Sequence, residues 1–362
     1  MFLILLIFRN LNFTGGILER TSHRIKWVDT LKFLGIFAIY IGHFADAAGR
    51  AYPFVFLYHV PLFFLVSGFF ATSTEKPFWI YFKGKCLQLV LPYYFFSFVA
   101  LIYFSILNNW QLPEVIGAGK TFIFGIRNQV YAASLWFLPC LFVVVILHYS
   151  LLKISKNIFF PFIISILLCI ITQHILPFNP LNEPSWIYNI DSALYYYFFY
   201  TSGAILFPLI NRDYSLLPMF WKWINVLLGI FCAGIAIAYF LIDGNFIFNK
   251  VRFIFEIPAF GFLYPILIAF IIIYANIILA KAIAEIPLFG SLGRETLVFC
   301  GIENVFKSFL MQTVLLFGLT INLANPFLTI LFSFICLLIS YLTIIRILNQ
   351  YFPKFVGKFS IN

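Results

Sequence analysis

Ten apolar runs of about twenty residues leave this chain few folds to choose from. They follow one another with short breaks, over 27–46, 53–72, 86–107, 131–151, 158–177, 193–210, 221–242, 258–280, 296–318 and 326–348. A run of that length crosses the hydrocarbon of a bilayer when helical, and a helix satisfies its own peptide hydrogen bonds where no water can. The expected fold is therefore an all-α polytopic membrane protein of about ten transmembrane helices. At 63% hydrophobic and 10% charged, a water-soluble globular chain is excluded, and no stretch is polar enough for a separate soluble domain. The expected organisation is a short segment 1–26, an integral-membrane domain 27–350 and a tail 351–362.

The formal net charge of +10 is read through topology, not as a nucleic-acid surface. Most Lys and Arg fall in alternate loops, and cytoplasmic loops are the basic ones. One side carries the N-terminal cluster, Lys76, Lys83, Lys85, Lys153, Lys156, Arg212, Lys222, Lys281, Arg294, Lys354 and Lys358. The other carries Arg50, Lys120, Arg127, Glu183, Asp191, Lys250 and Arg252. Both termini are thus expected in the cytoplasm, with the protein in the cell membrane and lipid as its solvent. Met1 to Phe8 is too short to span and precedes no small-residue cleavage site, so a cleaved signal peptide is not expected. The six cysteines stand singly inside apolar runs, a pattern that implies neither a disulfide framework nor a metal site.

Ionisable groups inside such runs are costly and mark function by default. The first run carries Asp29, Lys32 and His43, the second opens at His59, and the ninth holds Glu303 and Lys307. On a helix, Asp29, Lys32, Tyr40 and His43 form a polar stripe. Asp29 and Lys32 are spaced for an i,i+3 pair, while His43 lies roughly 16 Å farther along the axis, outside that pair and available as a base. In an antiparallel second span, His59 would share the outer end with His43. Trp136, at the outer end of the fourth run, is either an interfacial anchor or a platform for a sugar ring. Glu303 and Lys307, spaced i,i+4, either lock helices together or line a reaction cavity.

At these residues the sequence resembles the integral-membrane acyltransferase family 3, and within it the branch of fucose 4-O-acetylase-like and polysaccharide O-acetyltransferases. The resemblance is carried by Asp29, Lys32 and His43, with ten positions between the lysine and the histidine. It continues in the run His59-Val60-Pro61-Leu62-Phe63-Phe64-Leu65-Val66-Ser67-Gly68, in Lys83-Gly84-Lys85 leading to Leu91-Pro92-Tyr93, and in Leu135-Trp136-Phe137-Leu138-Pro139. Lysine replaces the arginine common at Lys83 and Lys85. A histidine often found in the ninth span is not evident here, and Glu303 or Asn304 falls near its place.

The resemblance implies an O-acetyltransferase that moves an acetyl group from cytoplasmic acetyl-CoA to a hydroxyl of a cell-surface polysaccharide or lipid-linked glycan. Lys83 and Lys85 would meet the coenzyme A phosphates, His43 would act as base or nucleophile, and His59 would orient the acceptor or share its proton. Asp29 and Lys32 would hold the first helix in register, and Trp136, Glu303 and Asn304 would face the acceptor. A polytopic transporter or flippase for a glycan is the competing class, since an intramembrane histidine and Glu/Lys pair also suit proton-coupled transport. The inverted repeats common in transporters are not apparent.

Overall fold

The computed structural model describes residues 24–71, 75–130, 132–212, 218–242, 261–318 and 325–358. The expectations for most of segment 1–26, for Lys250 and Arg252, and for the start of the eighth run lie outside the described residues. In chain order the helices are α1 (Lys26–Gly42), α2 (Ala51–Phe56), α3 (His59–Gly68), α4 (Phe78–Lys85), α5 (Leu91–Leu107), α6 (Leu112–Phe124), α7 (Phe137–Ser155), α8 (Phe159–His174) and α9 (Ile190–Ile210). They continue with α10 (Met219–Ile242), α11 (Leu263–Ala282), α12 (Pro287–Arg294), α13 (Thr296–Leu316), α14 (Pro326–Ser340) and α15 (Arg346–Tyr351). Among the described residues there is no strand, and the chain is an all-α polytopic membrane protein.

Among the described residues, seven helical stretches are long and apolar enough to cross a bilayer, and all lie on expected spans. The other three expected spans are helical too, with physical reasons for standing apart. α1 has 17 residues and α8 has 16, about a turn short of a full crossing. The 21-residue α13 is long enough but is diluted by Glu303, Asn304 and Lys307. α6 lies between the third and fourth expected spans. Its start is capped, with the Gln111 N–H donating to Glu114 Oε2 at 2.7 Å, and Pro113 sits in the first turn, where its missing donor costs nothing.

The molecule is built around α1. One face of that helix, with Leu31, Ala38 and Ile41, belongs to one apolar core, and the opposite face, with Phe33, Ile36 and Tyr40, belongs to a second. Being apolar on nearly every side, α1 is a helix that only a central position can bury. Small residues let its neighbours close in. A Cβ at Gly293 of α12 would overlap the main-chain carbonyl of Asp29, so the two backbones touch, as glycine permits in membrane packing. Stacked Phe33 and Phe289 rings, 4.7 Å apart, extend that contact. Likewise, Gly68 of α3 lies against the Tyr200 backbone and Gly203 of α9 against that of Leu65.

Basic residues gather at the Lys26 end of α1. The Lys26 ammonium is 2.6 Å from Glu285 Oε2, that of Lys281 lies 5.1 Å from the Trp27 ring centre, and Trp27 Nε1 donates to Asn211 Oδ1 at 3.1 Å. The opposite end of α1 is closed by His43, whose N–H returns to the Ile39 carbonyl at 3.0 Å.

Candidate functional site

His43 follows the last residue of α1, where the helix ends and the side chain is released from the helical stack. Its Nδ1 lies 2.7 Å from Glu303 Oε2 of α13. A carboxylate can only accept, so Nδ1 carries the proton, and in the neutral imidazole Nε2 keeps a lone pair for a substrate. The His43 side chain retains 19% exposure while Glu303 has none, so the imidazole can be reached and its carboxylate cannot. The Lys307 ammonium, one turn along α13, is 3.2 Å from Glu303 Oε1 and donates to the His43 main-chain carbonyl at 2.8 Å. It also sits 4.5 Å from the centre of the Phe44 ring. Glu303 is thus an ionised group with a cation on one oxygen and an imidazole on the other, the arrangement a fully buried carboxylate requires.

A loop completes the site. Asn189, fully buried with φ +53°, accepts from the Arg127 N–H and donates to the Gly125 carbonyl, both at 2.7 Å. With a further bond from its Nδ2 to the Trp136 carbonyl at 3.5 Å, Asn189 ties Gly125, Arg127 and Trp136 to the start of α9. Ser134 Oγ then donates to the Cys300 carbonyl at 2.8 Å and lies 3.4 Å from Glu303 Oε2.

A cavity of about 430 Å³ runs along α1 toward this group, lined along that helix by Lys32, Ile36 and Ile39. Ile39 is one turn before His43, and Cys300, another lining residue, is one turn before Glu303. Most of the wall is apolar, including Phe63, Val66 and Leu138, with Lys32, Ser67, Gln88 and Thr296 as its polar points. Gln88 and Leu89 belong to the π-helical turn Cys86–Val90 between α4 and α5, a local widening often found at functional sites.

The expected site residues divide as follows. Asp29 is buried and bonded to Arg24 and, at 3.1 Å, to Lys32, as the i,i+3 spacing anticipated. Lys32 reaches the cavity, with its ammonium 5.9 Å from the Phe70 ring centre. Lys85 donates to the cavity residue Gln88 at 3.2 Å, whereas Lys83 points to the exterior. His59 is buried, donates from Nδ1 to the Val55 carbonyl at 2.6 Å and packs on Phe56, so the two imidazoles have separate partners. Trp136 is 7% exposed, with the Arg127 guanidinium 4.7 Å from its ring centre; that face is occupied and the residue is no surface anchor. Asn304 is half-buried on α13 beside Glu303. Sequence reasoning missed the His43–Glu303 pair, Ser134 as its neighbour, and Gln88 in the cavity. For the first, a signal was present: a carboxylate in an apolar span must find a cation or proton donor, and the intramembrane histidine on α1 was one.

Taken together, a buried carboxylate paired with an imidazole, and an apolar cavity ending about a turn from both, describe a polytopic membrane protein with a proton-transfer pair between its helices. The particular family follows from comparison. A family model described as an acyltransferase domain, of the acyltransferase 3 type, matches residues 25–345, and the chain belongs to that family. It is a membrane acyltransferase. No curated protein and no solved structure gives a significant match to the chain.

Proposed function

We propose that the enzyme transfers an acetyl group from acetyl-CoA, entering at the Lys32 end of the cavity from the cytoplasm, to a sugar hydroxyl of a cell-surface polysaccharide or lipid-linked glycan arriving at the outer, His43 end. The observation that carries this reading is the cavity's course beside α1 from Lys32 to within a turn of His43. A largely apolar cavity suits the pantetheine arm, and Lys32, with Lys85 bonded to Gln88, offers positive charge to the phosphates.

In the reaction, His43 Nε2 takes the proton of the acceptor hydroxyl as its oxygen attacks the thioester carbonyl. Glu303 stabilises the imidazolium that forms, the role a buried carboxylate plays behind a catalytic histidine. The tetrahedral intermediate collapses with cleavage of the C–S bond. The departing thiolate takes the proton from His43, leaving an O-acetyl ester and free CoA. Asp29 keeps Lys32 aimed at the cavity. Asn304 and the loop carrying Ser134 and Trp136 border the acceptor side.

Sidedness tests the reading. In sealed vesicles of known orientation, acetyl-CoA supplied to the face bearing Lys32 is expected to support transfer, and acetyl-CoA confined to the opposite face is not. Transfer from either face alike, or from the His43 face alone, contradicts the proposed route.

A further inference from the structure

The segment following the last span forms part of the cavity wall. After α15 the chain leaves the helix at Phe352 and turns back through Pro353 to Gly357. Val356 is buried, and the Phe352 and Phe355 rings lie 5.8 and 5.0 Å from that of Phe95 on α5. Gly357 lines the cavity together with Lys32, Gln88 and Thr296. Its φ of +76° is one that side chains resist, and a Cβ there would stand 3.3 Å from both the Gln88 carbonyl oxygen and Leu297 Cδ1. Bare main chain is therefore pressed into the π-helical turn at this point.

The next residue pins it. The Lys358 ammonium is 2.7 and 2.9 Å from the two carboxylate oxygens of Glu295, and Asn349 Nδ2 donates to Oε2 at 3.1 Å. Glu295 is 8% exposed while the Lys358 side chain keeps 43%, so an exposed ammonium is anchored on a buried carboxylate that also accepts from Asn349. Glu295 directly precedes α13, so the same pair ties the turn to the helix that carries Glu303.

We propose that the Phe352–Lys358 turn is a wall of the donor-binding cleft, with Gly357 as the lining residue and Glu295–Lys358 as the positioning pair that fixes the width of the entrance for coenzyme A. This rests on the acetyl-CoA reading above. The Gly357 N–H is directed to the Lys354 carbonyl at 3.4 Å and that of Lys358 to the Pro353 carbonyl at 2.9 Å, so the turn contributes the shape of this apolar cavity and a carbonyl acceptor for the amides of an extended ligand. Because Lys358 is already neutralised by Glu295, the turn acts by shape and not as a free positive charge.

The test measures kcat and KM for acetyl-CoA and for acceptor in purified full-length protein, comparing wild type with Lys358→Met, Glu295→Gln, the exchange Glu295→Lys/Lys358→Glu, and Gly357→Asn. Breaking the clasp from either side is expected to raise KM for acetyl-CoA roughly tenfold, with kcat and the acceptor KM kept within about twofold. The charge exchange is expected to restore the donor KM. Gly357→Asn, which tolerates positive φ and leaves the ion pair intact, is expected to raise it as well. Folded variants with an unchanged donor KM, or opposite shifts from Lys358→Met and Glu295→Gln, overturn the proposal while leaving acetyl-CoA as donor. Absence of both transfer and coenzyme A binding in wild type would instead overturn the acetyl-CoA reading, and this inference with it.

Discussion

His43 and Glu303 stand 260 positions apart in the chain and meet at 2.7 Å, at the point where the first helix ends beside the middle of α13. Neither is placed by its own helix alone. α1 supplies an imidazole released at a helix terminus, and α13 supplies a carboxylate with no exposure to solvent. The contact joins two spans from opposite ends of the chain, and in the proposed reaction they work as one unit.

If they act as a unit, their losses do not add. His43→Ala is expected to lower kcat by roughly 10²- to 10⁴-fold and Glu303→Gln by roughly 10²-fold, with the double variant no worse than His43→Ala. Transfer rates in membranes containing equal folded protein check this. Additive losses would show that the two residues work separately.

Lys307 compensates the buried charge of Glu303. Lys307→Met leaves that carboxylate with the imidazole alone and is expected to cost roughly 3 kcal/mol of stability, with Glu303→Gln/Lys307→Met less destabilised than Lys307→Met by itself. Thermal unfolding in detergent reads both. Equal destabilisation by the single and double changes contradicts the pairing.

In the proposed reaction Lys32, held by Asp29, serves the donor side of the cavity. Lys32→Met is expected to raise the donor KM roughly tenfold with little change in the acceptor KM, because a charge-assisted contact of about 1.5 kcal/mol is lost from donor binding. A change confined to the acceptor KM would place Lys32 in a different role.

Gly68 and Gly203 hold the crossing of α3 and α9. A side chain at Gly68 would enter the Tyr200 carbonyl, so Gly68→Val is expected to force the helices apart at a cost of about 1–3 kcal/mol or more, seen as reduced monodisperse yield. Wild-type yield and stability in that variant would contradict the close approach.

The helices are readable because hydrophobic length is a direct consequence of bilayer thickness: among the described residues each of the ten expected spans is largely helical, the second as two pieces, α2 and α3. The Asp29–Lys32 pair was equally legible, since i,i+3 spacing fixes it within one helix. Contacts between distant spans were not. Nothing local to His43 points to Glu303, and the Glu303–Lys307 spacing accounts for only one of the carboxylate's two oxygens. Trp136 could be read as an anchor because its sequence position lies at a span end; its burial goes with the Asn189 bonds to the Gly125 and Trp136 carbonyls and with the Arg127 guanidinium over its ring, contacts between distant segments. The π-helical turn that points Gln88 into the cavity and the return of Gly357 to the wall likewise have no period to betray them.

The most direct measurement supplies radiolabelled acetyl-CoA and the host glycan fraction to open membranes carrying equal amounts of folded wild type or His43→Ala, and scores label in alkali-labile esters. The account predicts label with wild type and its loss, by at least about 10²-fold, with His43→Ala. Equal incorporation by the two proteins would contradict His43 as the base that transfers the acyl group.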